Sequence, residues 1–93
     1  MLEVNEYFDG NVKSIAFKTT TLPATVGVMA PGKYTFNTTQ KETMTVISGR
    51  LTTKLPNTDQ WADFTVGDDF TVDAQQSFEL IVKADTAYLC TYE

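Results

Sequence analysis

The sequence contains no histidine, and this absence excludes more chemistry than any other feature of the composition. Without an imidazole, the chain cannot build a histidine-ligated metal site, a serine–histidine nucleophile or a histidine general base. Any catalytic site must therefore use carboxylates, tyrosines, lysines, hydroxyl groups or backbone amides.

Cysteine is scarce, and net positive charge and long apolar runs are missing. The single cysteine, Cys90, rules out an intrachain disulfide and, with a start that does not resemble a signal peptide, predicts a cytoplasmic protein. No apolar run approaches the roughly 20 residues of a membrane-spanning helix, so we expect no membrane partner. A net charge of −5 argues against nucleic acid as a partner, although a small anionic ligand needs only local donors.

The length of 93 residues predicts one domain, residues 1–93. A domain of this size buries only about 60–65% of the surface that its unfolded chain exposes, so association with a second copy would add stability. Short apolar strands would also leave sheet edges that need covering. We therefore expect a homodimer, paired at an edge by an N-terminal or first-half strand.

Short runs of alternating apolar and polar residues fill most of the chain and predict strands. They recur with turn signals roughly every 8–12 residues, and no helical period appears. The runs cover residues 12–17, 24–30, 33–37, 44–55 (two strands around Gly49), 61–66, 70–72, 78–83 and 87–92. The pattern predicts an all-β fold, either a small sandwich or a barrel.

Two stretches with turn signals stand out, residues 31–51 and 67–78. The first opens with the turn Pro31-Gly32 and ends at Ser48-Gly49-Arg50, which lies between two alternating runs and predicts a hairpin. It contains one acid, Glu42, separated from Gly49 by six residues. The second stretch begins with Gly67-Asp68 and ends with Ser77-Phe78.

The spacing of these residues resembles the two sequence motifs of the cupins. Glu42 and Gly49 match the second half of the first motif, and Thr38 and Gln40 stand near its two histidines. The second motif aligns by spacing with Gly67, Asp73, Gln75 and Phe78, and Phe78 stands in the position of its histidine. This resemblance implies a small cupin-like antiparallel β-barrel of jelly-roll type, with no metal and no other cofactor.

A narrower resemblance covers nearly the whole chain. It rests on Asn5-Glu6-Tyr7-Phe8, Val12-Lys13-Ser14, Thr25-Val26-Gly27-Val28-Met29, Gly32-x-Tyr34-x-Phe36, Glu42-x-Met44-Thr45-Val46-Ile47-Ser48-Gly49, Ser77-Phe78 and Tyr88-Leu89-Cys90-x-Tyr92. These segments look like the small cupin-fold pyrimidine/purine nucleoside phosphorylases, which are dimeric. The chain departs from that family at Thr91, where an arginine is common, and at Thr43, where a charged residue is common.

The resemblance implies that phosphate cleaves purine and pyrimidine nucleosides to a free base and α-D-ribose 1-phosphate, without a metal. Glu42 is the expected catalytic residue, accepting ribose hydroxyls or stabilising positive charge on the sugar; it could instead be a solvated glutamate at a strand entrance. The expected substrate-binding residues are Tyr34, Phe36, Thr38, Gln40, Met44, Ser77, Phe78 and Tyr92. Core packing is the alternative for the apolar members, and turn stabilisation for the polar ones.

Lys13 and Arg50 are the cations expected to bind phosphate. Arg50 is the single arginine, and guanidinium groups suit phosphate best, whereas Lys13 lies in the family-like Val-Lys-Ser segment. For either residue, an exposed surface position is the alternative. At the level of function, the alternative is a non-catalytic cupin-type module that binds a small ligand. Metal binding through Glu42, Asp68, Asp69 and Asp73 is disfavoured by their spacing.

Overall fold

Ten strands and no helix make up the computed structural model, which describes residues 1–93. The strands are β1 (Glu3–Tyr7), β2 (Val12–Lys18), β3 (Pro23–Met29), β4 (Gly32–Asn37), β5 (Glu42–Ser48), β6 (Arg50–Lys54), β7 (Trp61–Thr65), β8 (Asp69–Val72), β9 (Ser77–Val82) and β10 (Thr86–Tyr92). All neighbouring strands pair antiparallel. The all-β prediction is confirmed, and no helix is long and apolar enough to cross a membrane.

The strands form two sheets rather than one closed barrel. The six-stranded sheet has the order β1-β2-β3-β10-β5-β8, and the four-stranded sheet has the order β4-β9-β6-β7. No ladder of hydrogen bonds joins the two sheets, so the architecture is a cupin-like β-sandwich with its core between the layers. The sequence predicted a barrel, and the structure corrects this prediction to two sheets packed face to face.

The predicted hairpin at Gly49 is wrong, because β5 and β6 lie in different sheets. Gly49 instead carries the chain from one sheet to the other, with a φ of 94° that favours glycine. A Cβ at this position would lie 2.5 Å from the Thr86 hydroxyl oxygen. That hydroxyl donates to the carbonyls of Arg50 and Ala84, so the fully buried Thr86 fixes the crossing point.

Strand β1 is the element that the sequence pattern missed. It lies at an edge of the six-stranded sheet, pairs with β2 and has little buried surface, so its sequence shows no apolar alternation. The turn after it holds Phe8 at a φ of 54°, a left-handed conformation that bulky residues rarely adopt. The Phe8 ring packs against two other rings, and its centroid lies 4.9 Å from that of Tyr34 and 5.4 Å from that of Phe36.

The core between the sheets follows the predicted alternation. In β9, Phe78, Leu80 and Val82 are buried, while the residues between them are partly exposed. Leu51 from β6 and Val46 from β5 are buried in the same cluster, so both sheets contribute to one core. This core is continuous with the wall of a cavity that opens between the layers.

Candidate active site

A cavity of about 230 Å³ lies between the two sheets and is open at one side. Strands of the six-stranded sheet and the end of β1 supply most of its lining: Tyr7, Ser14, Thr25, Met29, Glu42, Met44, Tyr88, Cys90 and Tyr92. The four-stranded sheet supplies Phe36, Asn37 and Phe78. One wall is therefore rich in polar groups, and the other is mainly aromatic.

Glu42 occupies the first position of β5 and pairs in register with Tyr92 of β10. Its side chain is half-buried, and burial raises the pKa of the carboxyl group, an effect that the Cys90 thiol partly offsets. The thiol donates to Glu42, with Sγ 3.7 Å from Oε1. Glu42 is thus a carboxyl group in the cavity wall and not a fully solvated strand-entrance residue.

Strand β10 places Tyr88, Cys90 and Tyr92 on the same face, toward the cavity, because alternate residues of a strand share a face. Burial, followed by the charge of Glu42, raises the pKa of Cys90 to about 12. Burial also raises the pKa of Tyr88 to about 12 and raises the pKa of Tyr92. All three groups are therefore neutral near pH 7, and they present hydroxyl and thiol protons without charge.

Two pairs of hydroxyl groups line the side of the cavity formed by β2, β3 and β10. The Thr25 and Tyr92 hydroxyl oxygens are 3.1 Å apart and share a hydrogen bond. Further along, Ser14 interacts with the Tyr88 phenol and lowers its pKa, against the larger effect of burial. Ser14, Gly27 and Tyr88 stand side by side in the register of the three strands.

The aromatic wall consists of Phe36 from β4 and Phe78 from β9, which are partners in the strand register. Their rings are nearly parallel, with an interplanar angle of 24° and a centroid distance of 5.8 Å. Phe78 is buried and also contacts Phe70, whereas Phe36 is only half-buried and lines the cavity. An aromatic wall of this kind can stack against a planar heterocycle.

Five of the expected site residues meet in this cavity: Phe36, Glu42, Met44, Phe78 and Tyr92. Sequence reasoning did not assign seven others to the site: Tyr7, Ser14, Thr25, Met29, Asn37, Tyr88 and Cys90. The alternation of β10 already placed Tyr88 and Cys90 on the face of Tyr92 and could have identified them. The remaining ones depend on which strands are neighbours, which the local pattern does not reveal.

Four expected substrate-binding residues lie outside the cavity. Tyr34 is buried, and its hydroxyl donates to the carbonyl oxygen of Ala30 at 2.6 Å. The Thr38 hydroxyl donates to the carbonyl of Asp73 at 2.6 Å and so joins two loops. Gln40 and Ser77 are exposed, and neither lines the cavity.

The two expected phosphate ligands also lie elsewhere. Lys13 is exposed, and its Nζ is 3.4 Å from a carboxylate oxygen of Glu6. Arg50 is exposed on the four-stranded sheet, with its guanidinium 4.0 Å from Asp63. Both side chains extend away from the interior because they occupy outward positions of their strands, and no lysine or arginine lines the cavity.

The positions that carry metal ligands in many cupins do not fit a metal ion in this chain. The Thr38 hydroxyl is already bonded to Asp73, Gln40 is outside the cavity and Phe78 has no donor atom. No group of three or more histidine, cysteine, aspartate or glutamate side chains gathers elsewhere.

Known proteins resemble this chain over its whole length. A family model described as "Pyrimidine/purine nucleoside phosphorylase" matches residues 2–92. A relative of that name from Magnetococcus marinus is 68% identical, and one from Hahella chejuensis is 63% identical, each over 99% of both chains.

Solved structures agree with the fold. A protein of unknown function from Vibrio parahaemolyticus aligns with a TM-score of 0.95 at 44% identity, over 100% of this chain and 99% of its own. An RmlC-like cupin from Shewanella frigidimarina aligns with a TM-score of 0.76 at 16% identity, over 98% of this chain and 82% of its own, which shows the shared fold. The family match and the full-length relatives together show that this chain belongs to the pyrimidine/purine nucleoside phosphorylase family.

Proposed function

We propose that this protein cleaves purine and pyrimidine nucleosides with inorganic phosphate, giving the free base and α-D-ribose 1-phosphate without a metal. The observation that carries the proposal is the cavity itself, in which a half-buried carboxyl group faces an aromatic wall across neutral hydroxyl groups. Relatives 63–68% identical over the full chain bear the corresponding name. Inorganic phosphate and a nucleoside are thus its proposed partners.

In the proposed reaction, the bond between C1′ of the sugar and the base nitrogen breaks, and the bonding electrons leave with the base. A phosphate oxygen forms the new bond to C1′, and the proton that the phosphate gives up passes, directly or through solvent, to the base nitrogen. Positive charge develops on the sugar between these events. The Glu42 carboxylate is the group in the cavity wall that can stabilise this charge and accept hydrogen bonds from ribose hydroxyls.

Phe36 and Phe78 are proposed to hold the base. A ring wall recognises the flat face that all purines and pyrimidines share, and so accounts for a broad base preference. Met44 lies on the same face of β5 as Glu42 and fills the apolar part of the same cavity. Tyr92, linked to Thr25, contributes a hydroxyl contact to the sugar or to phosphate.

We further propose a homodimer that uses the outer face of the six-stranded sheet, with edge strand β1 at its margin. This face exposes the aliphatic side chains Val4, Ile15, Val26, Val28 and Ile47. They surround a shallow apolar depression, and contiguous apolar surface of this kind marks protein contacts. A second copy can cover it through the same patch on both chains. The free, buried Cys90 suits the reducing cytoplasm, where we place the protein.

The direct test is release of base from uridine, adenosine, guanosine and inosine by the purified protein, with and without phosphate. The proposal predicts release that requires phosphate and yields ribose 1-phosphate in equal amount. Binding of nucleoside without release, at any phosphate concentration, would favour the alternative of a non-catalytic binding module.

A further inference from the structure

We propose that the phosphate subsite of the cavity is made of neutral hydroxyl groups, the Thr25–Tyr92 and Ser14–Tyr88 pairs, rather than of a lysine or arginine. The inference rests on the proposed phosphorolysis and identifies where its second substrate binds. All four hydroxyl-bearing residues line the cavity. None of the basic residues does, and Lys13 and Arg50 instead face acids on the outer surface.

Gly27 is the feature that makes this arrangement possible. A Cβ on Gly27 would lie 2.6 Å from the Tyr88 hydroxyl oxygen and 2.7 Å from its ring carbon Cζ. The phenol of Tyr88 therefore lies directly across the backbone of β3, reaching from β10 to Ser14 on β2. The absent Cβ thus leaves room for the Tyr88 hydroxyl to lie beside Ser14 in the cavity wall.

The proton count in these pairs leaves donors for a ligand. Each hydroxyl group carries one proton, and a hydrogen bond within a pair uses one of two. At least one O–H of the Thr25–Tyr92 pair therefore remains available to the cavity, and Ser14 and Tyr88 add their own hydroxyl groups to the same wall. The raised pKa values of both tyrosines keep these protons in place at neutral pH.

The spacing of the two pairs suits a tetrahedral anion. The two hydroxyl pairs form two rows across the sheet, one at Thr25 of β3 and the other at Gly27 of β3. Residues two apart on a strand are separated by about 7 Å. An anion between the rows can accept hydrogen bonds of about 2.7 Å from both sides. Phosphate presents oxygens in several directions, as this arrangement of donors requires.

The charge distribution separates phosphate from Glu42. Thr25 lies on β3 and Glu42 on β5, with β10 between them, so their backbones are about 10 Å apart. An anion next to Glu42 would be repelled, whereas ribose hydroxyls need such an acceptor. The cavity thus has hydroxyl donors on β2 and β3 for phosphate and the Glu42 acceptor on β5 for the sugar, with β10 between them carrying Tyr92, the register partner of Glu42.

Single substitutions that delete one hydroxyl test the proposal: Tyr88→Phe, Thr25→Val and Ser14→Ala. Steady-state kinetics with inosine and phosphate would give the KM of each substrate, and calorimetric titration with inorganic phosphate alone would give binding without turnover. We expect Tyr88→Phe and Thr25→Val to raise the KM and the dissociation constant of phosphate about tenfold, with the nucleoside KM within about twofold of wild type. The matched control is Tyr34→Phe, which removes a tyrosine hydroxyl that bonds to Ala30 outside the cavity and should leave the phosphate KM unchanged.

The outcomes separate this proposal from the function on which it rests. A rise in the nucleoside KM with an unchanged phosphate KM would assign the hydroxyls to the sugar and overturn the subsite. A rise in the phosphate KM for Lys13→Ala or Arg50→Ala, with none for Tyr88→Phe, would also overturn it. If wild type binds inorganic phosphate more tightly than Tyr88→Phe but releases no base, the subsite stands and the phosphorylase function fails.

Discussion

The two sheets of this protein have opposite distributions of polarity near the cavity. The six-stranded sheet is polar on its inner side, where Ser14, Thr25 and Glu42 line the cavity, and apolar on its outer side. The four-stranded sheet is apolar inside, with Phe36 and Phe78, and charged outside. The smaller sheet thus has an apolar inner face and a charged outer face, as expected for a sandwich in water. The larger sheet shows the opposite distribution around the cavity.

The outer surface of the four-stranded sheet shows what an ordinary solvent face looks like in this chain. Glu79 forms ion pairs with Lys33 and Lys54, at 3.7 and 3.3 Å. The same two lysines approach the ring of Trp61, with Nζ 5.7 and 5.9 Å from its centroid. On the larger sheet, the outer face exposes valine and isoleucine side chains beside the Lys13–Glu6 ion pair. The difference supports the two proposed roles of the larger sheet, which are to contact ligand on its inner side and a second copy on its outer side.

Glu42→Gln should have the largest effect, because it removes the charge from the polar inner wall of the larger sheet while keeping the shape of the side chain. We expect kcat to fall by about 10²–10³-fold, since the carboxylate stabilises the sugar mainly in the transition state. The nucleoside KM should change little. Burial raises the pKa of Glu42, so wild-type activity should fall as the pH drops through a value above the ordinary one near 4.5. Rates measured from pH 4 to 9 should show this acidic limb in wild type, and its persistence in the variant would assign it to another group.

Val28→Asp places a charge on the apolar outer face of the larger sheet. If two copies bury this face, two unpaired carboxylates enter the interface at a cost of roughly several kcal/mol per ion, and the dimer should dissociate at least about 100-fold more readily. Light scattering should then change from twice the chain mass of 10.3 kDa to that mass itself. Val66→Asp makes the same change at an exposed valine just after β7 in the other sheet, so it is the control and should not alter the mass. A wild-type monomer at micromolar concentration would contradict the proposed assembly.

Phe36→Ala tests the aromatic inner wall of the smaller sheet. Loss of one stacking partner is expected to raise the nucleoside KM about tenfold or somewhat more, because stacking of a base on an aromatic ring contributes about 1–3 kcal/mol. The phosphate KM should stay constant, since Phe36 offers no donor. Phe36→Tyr retains the ring and serves as the control. Equal increases in both Michaelis constants would indicate general damage to the cavity rather than loss of base stacking.

Cys90 gives the inner wall a pH-dependent stability. Burial raises the folded-state pKa to about 12, whereas an unfolded thiol titrates near 8.5. Above about pH 8.5 the unfolded chain loses this proton first, so the free energy of unfolding should fall as the pH rises, by roughly 1 kcal/mol at pH 9.5. Denaturant titrations of wild type and Cys90→Ala at pH 7.5 and 9.5 should show the extra loss in wild type. The same loss in both proteins would show that Cys90 is not its source.

Lys54→Ala, on the charged outer face of the smaller sheet, should have the smallest effect. Partly exposed ion pairs contribute about 0–1 kcal/mol, and Glu79 keeps Lys33 as a partner. The melting temperature should change by a few degrees at most, less at high salt, and kinetic constants should stay at wild-type values. A large loss of activity would show that this outer face takes part in the function, and the contrast between the two sheets would then no longer hold.

Local sequence patterns were sufficient for nine of the ten strands, because each exposes one face and buries the other. They also placed Glu42 and Met44 on a shared face, since residues two apart in a strand point the same way. The strand order was not accessible in this way, and it decides that Ser14 lies across β3 from Tyr88 and that Thr25 on β3 meets Tyr92 on β10. It also decides that Gly49 joins two sheets instead of closing a hairpin. Charge patterns suggested Lys13 and Arg50 for phosphate, but side-chain direction depends on the fold.

The turn at Phe8 determines the shape of one margin of the cavity. Its left-handed backbone costs about 1–2 kcal/mol for a side chain of this kind, and the contacts with Tyr34 and Phe36 offset that cost. Tyr7, the residue before the turn, ends β1 and lines the cavity. The contact among the three rings therefore ties the end of an edge strand of the larger sheet to the smaller sheet, and it sets the position of Tyr7 in the cavity wall.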